Sequence, residues 1–138
     1  MNSYKYNAEV RGDDSRGKII SMCDANISNV SFINSAANTI RSNHYHYKDS
    51  HYMYVISGEL DYFYSDLKDI QEFNYLKIRE GECIYTPPME YHVTYFPKDT
   101  SLIVCSVFAR DQQTYESDTV KDNLINLDNI QDYLKKFE

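Results

Sequence analysis

The four histidines of this chain follow one spacing pattern, and that pattern limits the fold more than any other feature of the sequence. His44 and His46 are separated by one residue, and His51 follows after four more. His92 comes later, after Gly81 and a Pro-Pro turn. Alternate residues of a β-strand point to the same face, so His44 and His46 are expected to lie on one side of a strand. The sequence contains no other histidine.

This pattern predicts that the imidazoles converge on a metal site. Neutral imidazole nitrogen is a good ligand for zinc, iron, nickel and copper. A strand, a turn and a second strand would bring His51 back beside the first pair, and His92 would come from a separate hairpin on a facing sheet. We therefore predict a divalent transition metal, of open identity, held by His44, His46, His51 and His92. The alternative is a pocket of the same shape in which the histidines bind a polar ligand without metal.

The composition favours a single domain that handles a small molecule. The 138 residues allow one domain with one sizeable core. The net charge is −7 and no run of Lys and Arg exceeds two residues, which disfavours nucleic acid and anionic membranes as partners. No apolar run approaches the roughly 20 residues of a membrane span. Three widely spaced cysteines without a C-x-x-C pair indicate a reducing compartment, so we expect the cytoplasm.

Short apolar segments separated by turn residues predict an all-β fold from about residue 10 to 110. Eight to ten strands are expected, enough to close a jelly-roll barrel. The alternating residues Tyr4, Tyr6 and Val10 predict an N-terminal edge strand that is available for exchange with a second subunit, and we expect a homodimer. The final segment changes period and predicts one amphipathic helix over about 124–137, capped by Asp128.

These motifs resemble those of the cupins. The segment from Arg41 to His46, followed by Gly58, is similar to the cupin domains attached to bacterial capsule and nucleotide-sugar pathways. Residues 14–18 resemble the D-x-R-G opening of sugar-nucleotide 3,5-epimerases and 3,4-ketoisomerases, and residues 115–119 resemble a Tyr-Glu-x-Asp-Thr segment of the same group. The resemblance covers roughly residues 10 to 120. It implies a single cupin domain, a double-stranded β-helix with a short C-terminal α-helix.

The chain departs from the cupin pattern at several positions. Asn38 stands where the first motif has glycine, and asparagine tolerates a positive φ better than most residues. Met89 and Phe96 replace the glycine and asparagine of the second motif, so the turn after the two prolines is expected to take a different shape. His51 replaces a glutamate. Four neutral imidazoles would leave a divalent ion with its full charge, which favours an anionic or enolate oxygen as ligand.

The resemblance implies an isomerase or epimerase of a keto-deoxysugar nucleotide in bacterial surface polysaccharide biosynthesis. Such a reaction removes a proton next to a carbonyl, and a metal would stabilise the enolate as a Lewis acid. Arg41 is the candidate for binding a diphosphate or sugar oxygen, although it could instead pair with Asp49. The candidate proton donors come from barrel strands, and they are Tyr62, Tyr64 and Tyr85, with Glu59 and Asp61 as weaker candidates.

The sequence leaves two other functions open. Cupins with three or four histidines include oxygen-using enzymes, so a non-haem dioxygenase with iron or copper is one alternative. A non-catalytic cupin that binds a sugar or another small molecule is the other. The bound metal tests the first alternative, because zinc excludes redox chemistry at the ion.

Overall fold

A computed structural model describes residues 2–138, which form two five-stranded antiparallel sheets, a two-stranded ribbon and two short α-helices. In chain order the elements are β1 (Tyr4–Asn7), β2 (Glu9–Asp14), β3 (Gly17–Ser21), β4 (Asn29–Ser35), β5 (Thr39–His46), β6 (His51–Ser57), β7 (Glu59–Asp66), β8 (Asn74–Arg79), β9 (Glu82–Thr86), β10 (Glu90–Phe96), β11 (Thr100–Ser106), α1 (Gln112–Asp118), β12 (Thr119–Lys121) and α2 (Ile130–Lys135). The first sheet has the order β1-β9-β6-β11-β4 and the second has the order β12-β5-β10-β7-β8. Strands β2 and β3 form the ribbon.

The two sheets pack face to face as a jelly roll, which confirms the predicted all-β fold. Inward-facing residues of both sheets form the core, among them Val55, Leu60 and Leu102. The period-two pattern holds along β6, where Met53 and Val55 are buried and Tyr54 between them is partly exposed. Burial of these apolar side chains is the main driving force for closing the two sheets on each other.

The C-terminal segment covers the outer face of the second sheet. Ile125 and Ile130 pack there against Phe63, Tyr91 and Val93, in a second apolar cluster outside the barrel. This segment therefore acts as an additional layer of core for that sheet.

The C-terminal helix is shorter than predicted and begins at Ile130, with Asn129 as its N-cap and no side-chain capping bond. Asp128 does not cap it. Two asparagine side chains bind backbone amides just before the helix. Asn126 Oδ1 accepts from the Asp128 amide at 3.0 Å, and Asn129 Oδ1 accepts from the Asn126 amide at 2.9 Å. Such side-chain bonds offer the backbone an alternative to the helix.

The predicted N-terminal strand is divided between two elements. Strand β1 pairs with β9 of its own chain, and the following residues turn into the ribbon. The N-terminal strand is therefore engaged within the single chain. Asn38 adopts a φ of 61° as expected from the sequence, and Met89 adopts a φ of 60° in the turn before β10.

Two elements that the sequence did not predict lie next to the histidine strand. Helix α1 starts after Asp111, whose carboxylate accepts from the Thr114 amide at 3.0 Å. Strand β12 extends the second sheet by pairing with β5, with Thr119 opposite His46. No helix within residues 2–138 is long and apolar enough to cross a membrane.

Candidate metal centre

The structure brings the four predicted histidines together inside the barrel. His44 and His46 lie on β5, and His92 lies directly opposite His44 on β10. The expected placement is reversed, because His51, and not His92, comes from the facing sheet, where it begins β6. The ring centroid of His44 lies 4.6 Å from that of His46 and 4.7 Å from that of His92. The ring centroids of His51 and His92 are 5.3 Å apart. All four side chains are buried.

A β-bulge places Arg41 on the same side as the histidines. Ser42 and Asn43 have φ values of 73° and 57°, and the register with β10 shifts by one residue at this point. Arg41 and His44 are three residues apart, so a regular strand would direct them to opposite faces. Because a bulge inserts one extra residue, both side chains line the same pocket.

The bulge is held in place by the C-terminal segment. Asn43 Nδ2 donates to the Ile125 carbonyl at 2.7 Å, and the Ile125 amide donates back to Asn43 Oδ1 at 3.2 Å. The Tyr91 hydroxyl also donates to Asn43 Oδ1, at 2.9 Å. The covering layer outside the barrel therefore fixes the strand that carries two of the histidines.

Hydrogen bonds fix which nitrogen of two histidines carries the proton. His92 Nδ1 lies 3.1 Å from the Glu90 carbonyl, which can only accept. His46 Nδ1 lies 3.1 Å from the Thr119 hydroxyl, and that hydroxyl donates its single hydrogen to the Tyr115 carbonyl. In both cases Nδ1 must donate, so the lone pair of each neutral ring is on Nε2.

The Nε2 atoms of His46 and His92 are buried without a hydrogen-bond partner among the described residues. Leaving a buried polar atom unpaired costs about 1–3 kcal/mol. One ligand atom each from His44, His46 and His92 lies within 4.8 Å of the others, close to the separations of roughly 3–4 Å found for ligands of one zinc ion. Burial lowers the pKa of His92 to about 3 and holds the pKa of His44 and His46 below its usual range. These residues fit a divalent transition metal.

His51 has a different environment from the other three histidines. Its Nδ1 lies 3.5 Å from a guanidinium nitrogen of Arg110, which can only donate. Metal binding through Nε2 would leave a proton on Nδ1 facing that donor. The ligand atoms of His51 group with those of His46 and Asp49 rather than with the three-histidine set. The geometry therefore separates His51 from His44, His46 and His92.

The pocket beside the histidines carries two positive charges on an apolar wall. Arg41 and Arg110 line it together with His44 and His51. Arg41 is exposed and donates through Nε to Ser35 Oγ at 2.6 Å. The apolar lining consists of Ile33, Met53, Phe96, Leu102 and Val104.

Asp49, the alternative partner predicted for Arg41, interacts with Arg110 instead. The Arg110 guanidinium lies 3.5 Å from the Asp49 carboxylate, which also accepts from the Phe108 amide at 3.0 Å. Arg110 Nε donates to Ser106 Oγ at 2.8 Å. Arg110 is thus held from two sides, whereas Arg41 is exposed and is bonded through Nε alone.

The predicted proton donors Tyr62 and Tyr64 lie inside the barrel, but neither lines the pocket. Tyr62 is fully buried, its ring is stacked on His92, and its hydroxyl bonds to Thr86 Oγ1 at 2.7 Å and Ser3 Oγ at 2.8 Å. Burial raises the pKa of both tyrosines. The hydroxyl of Tyr62 is therefore fully occupied within the chain.

The other predicted acid–base candidates lie outside the pocket. Tyr85 packs against Tyr4 and Tyr52 on the outer face of the first sheet, with tilted rings at centroid distances of 5.2 Å and 5.0 Å. Glu59 and Asp61 both pair with Lys77, at 3.2 Å and 3.1 Å. These residues lie on the predicted strands, but their side chains point away from the pocket.

Sequence reasoning missed Tyr115 and Arg110 as site residues. The Tyr115 ring lies 5.8 Å from the ring of His46 and 6.2 Å from that of His44, with the Arg110 guanidinium 5.5 Å from its centroid. Tyr115 belongs to the segment that resembles the sugar-nucleotide group, which was the one available signal. Nothing in the spacing of the sequence marks Arg110.

Comparison with known proteins identifies the family. Residues 23–130 match the family model described as Cupin. Because this match spans most of the chain, the protein belongs to the cupin family. A search of curated proteins finds no match to the sequence.

Solved structures with the same fold include enzymes that act on nucleotide sugars. A variant of the QdtA 3,4-ketoisomerase from Thermoanaerobacterium thermosaccharolyticum, in complex with TDP, is 19% identical, with a TM-score of 0.70 over 99% of this chain and 96% of that chain. The WlaRB TDP-quinovose 3,4-ketoisomerase from Campylobacter jejuni is 18% identical, with a TM-score of 0.71 over 88% and 93% of the two chains. The Mycobacterium tuberculosis rmlC epimerase is 13% identical, with a TM-score of 0.68 over 82% and 66%. At these identities the likeness is one of fold.

Proposed function

We propose that this cupin is a metal-dependent isomerase or epimerase of a sugar nucleotide in bacterial surface polysaccharide biosynthesis. The observation that carries the proposal is the pair of buried Nε2 atoms of His46 and His92, which have no hydrogen-bond partner in the described part of the chain and lie next to a pocket with two arginines. His44 completes a three-nitrogen ligand set that suits zinc, iron, nickel or copper. A divalent ion held there would act as a Lewis acid toward a substrate carbonyl.

The two arginines support an anionic substrate. The chain carries a net charge of −7, yet the charged residues that line the pocket are Arg41 and Arg110. Guanidinium groups bind phosphate oxygens through paired, charge-assisted hydrogen bonds. Among proteins of the same fold, QdtA has been crystallised with TDP and a variant of it with TDP-4-keto-6-deoxyglucose. We assign the diphosphate to Arg41, at the exposed entrance, and a sugar oxygen to Arg110.

His51 is the acid–base group that lines the pocket once three histidines are assigned to the metal, and Tyr115 lies next to two of those three histidines. Burial and then the nearby positive charges hold the pKa of His51 well below its usual range, so its ring is neutral. With Nδ1 accepting from Arg110, the proton of His51 resides on Nε2. A neutral imidazole of this kind can donate a hydrogen bond to a carbonyl oxygen as negative charge develops on it. The ring of Tyr115 lies next to those of His44 and His46 and makes Tyr115 the second acid–base candidate.

Elemental analysis followed by an isotope experiment tests this proposal. The purified protein is expected to contain about one divalent transition metal per chain, because the three histidines form a single ligand set. The metal-loaded protein is then incubated in D2O with a panel of keto-deoxysugar nucleotides, including TDP-4-keto-6-deoxyglucose. Deuterium uptake at a carbon beside the carbonyl, read by mass spectrometry and NMR, is the expected result. Failure of every substrate to exchange would contradict the isomerase proposal.

A metal dioxygenase is the second candidate, and one observation favours it. Three histidines would hold the metal, which would leave coordination positions for oxygen and substrate. Iron or copper as the native metal, with oxygen consumption when substrate is added, would support this function over the isomerase. A nucleotide sugar that binds tightly and emerges chemically unchanged, without deuterium uptake, would indicate a non-catalytic binding cupin.

A further inference from the structure

Three sulfur-containing side chains from two distant parts of the sequence meet on the outer face of the first sheet. Cys105 lies on β11, where Leu102 and Val104 face the core, so strand alternation directs its side chain outward. Cys105 Sγ lies 3.9 Å from Met22 Sδ, in the loop that follows β3. The thiol of Cys23, the next residue, is hydrogen-bonded to that of Cys105. We call these three residues, Met22, Cys23 and Cys105, the sulfur cluster.

Hydrogen bonds hold the loop of the sulfur cluster against the sheet. The Tyr6 hydroxyl on β1 donates to the Met22 carbonyl at 2.6 Å. At the far end of the loop, the Ser28 amide donates to the carbonyl of Ser106, the residue after Cys105, at 2.9 Å. The loop is therefore tied to the first sheet on both sides of the cluster. Ligands that are held in place in this way bind an ion without first having to be ordered.

The donor atoms of the sulfur cluster are soft, and a small ion can reach them. Cys105 is buried, whereas Met22 and Cys23 are half-buried. Burial, followed by the neighbouring Cys105 thiol, raises the pKa of Cys23 to about 11, so a bound cation would displace its proton. The carboxylate of Asp24 pairs with Arg11. Thiolate and thioether sulfurs together select copper(I), whereas the usual ligands of zinc are thiolate, imidazole and carboxylate.

We propose that the sulfur cluster is a binding site for one copper(I) ion, with Met22, Cys23 and Cys105 as its ligands. Metal–sulfur bonds of about 2.3 Å place two ligands of one ion roughly 3.8–4.0 Å apart in tetrahedral or trigonal geometry. The 3.9 Å between Cys105 Sγ and Met22 Sδ agrees with this separation. The site is separate from the candidate metal centre, because the four histidines lie inside the barrel and the sulfur cluster lies outside it.

Anaerobic titration of the full chain with copper(I), delivered from its bicinchoninate complex, tests the site. The protein is expected to bind copper(I) with the ultraviolet charge-transfer absorption that marks thiolate ligands, and X-ray absorption should show sulfur neighbours around the ion. His46→Ala should give the same absorption, because His46 belongs to the other site. An unmodified protein that shows no thiolate absorption after one equivalent of copper(I), or whose bound copper has only nitrogen neighbours, would overturn the proposal.

Three variants test the ligand set. Cys105→Ser should lose most of the absorption and bind copper(I) more than about 100-fold more weakly, beyond the range for losing an outer partner of a ligand. Met22→Leu keeps the size of a half-buried side chain, so it should fold and also bind more weakly. The control is Cys83→Ser, because the Cys83 thiol is bonded to the Tyr6 hydroxyl, and it should bind as the unmodified protein does. Circular dichroism reports the fold of each variant. Unchanged affinity in Met22→Leu or Cys105→Ser, or an equal loss in Cys83→Ser, would contradict this site.

Discussion

Two buried polar clusters lie inside this barrel, and they differ in how the chain treats its own polar atoms. In one cluster every group has a partner. The Tyr62 hydroxyl lies 2.7 Å from Thr86 Oγ1 and 2.8 Å from Ser3 Oγ, and the Ser3 amide donates to the Glu90 carboxylate at 3.0 Å. Burial raises the pKa of Glu90, and the bonds from Ser3 oppose that shift. This cluster closes the barrel without needing a ligand.

The histidine cluster lies next to the first but is left incomplete. Thr119 and the Glu90 carbonyl orient two rings through Nδ1, while the Nε2 atoms of His46 and His92 have no partner within residues 2–138. Orienting a ring while leaving its second nitrogen unpaired is how proteins prepare a histidine for a metal. Residue type does not distinguish the two clusters, because both contain good acid–base groups. Hydrogen-bond satisfaction does distinguish them, and it separates Tyr62, whose hydroxyl is bonded within the chain, from the histidines that we propose as metal ligands.

The largest expected effect is the loss of metal when one of the unpartnered nitrogens is removed. His46→Ala should reduce the bound metal from about one ion per chain to essentially none, because three ligands fix a single ion and two do not. Elemental analysis of the purified variant measures this. Circular dichroism should show an intact barrel, since the apolar core is unchanged. Full metal content in His46→Ala would show that the unpartnered Nε2 of His46 is not a metal ligand, and the proposed difference between the two clusters would be wrong.

Arg41→Ala tests whether the incomplete cluster opens onto an anion-binding pocket. The variant should weaken binding of a nucleotide sugar by about 1.5–3 kcal/mol, the range for loss of a charge-assisted hydrogen bond. Isothermal titration calorimetry on the metal-loaded protein measures the change. The matched control is Arg79→Ala on the β8 edge, outside the pocket, which should bind as the unmodified protein does. If the unmodified protein, Arg41→Ala and Arg79→Ala bind the nucleotide sugar with equal affinity, Arg41 does not contribute to the binding site.

The hydrogen bond that orients His46 should matter less than His46 itself. Thr119→Val removes the acceptor for His46 Nδ1, and loss of such a bond typically lowers metal affinity about 10–100-fold. Competition with a chromogenic chelator measures the affinity. Thr119→Ser retains the hydroxyl and should recover most of it. If Thr119→Val binds metal as tightly as Thr119→Ser, the orientation of the ring does not depend on this bond.

The parts of this site that the sequence could predict depend on local periodicity. The His44 and His46 pair follows from strand alternation, and the positive φ of Asn38 follows from the residue type at that turn. The jelly roll and its core follow from the alternating apolar residues. These features are encoded within a few neighbouring residues.

The parts that could not be predicted depend on contacts between distant segments. The bulge at Asn43 is fixed by Ile125, which follows far along the chain, and the direction of Arg41 depends on that bulge. Arg110 reaches the site because Asp49 and Ser106 hold it there. The barrel strand of Tyr62 and its role as a proton donor were predicted from the sequence, but its hydrogen bonds to Ser3 and Thr86 join distant segments and could not be.

The smallest expected effect concerns the cluster around Tyr62, in which every polar group has a hydrogen-bond partner. Tyr62→Phe removes two hydrogen bonds in a fully buried position and should lower the free energy of unfolding by about 1–1.5 kcal/mol. Tyr64→Phe is the matched control, because Tyr64 lies two residues further along β7 and its hydroxyl makes no hydrogen bond within residues 2–138, so its stability should be unchanged. Urea denaturation measures both variants. Metal content should be the same in both, since neither hydroxyl belongs to the ligand set. A Tyr62→Phe protein of normal stability that loses its metal would show that the two clusters are a single functional unit.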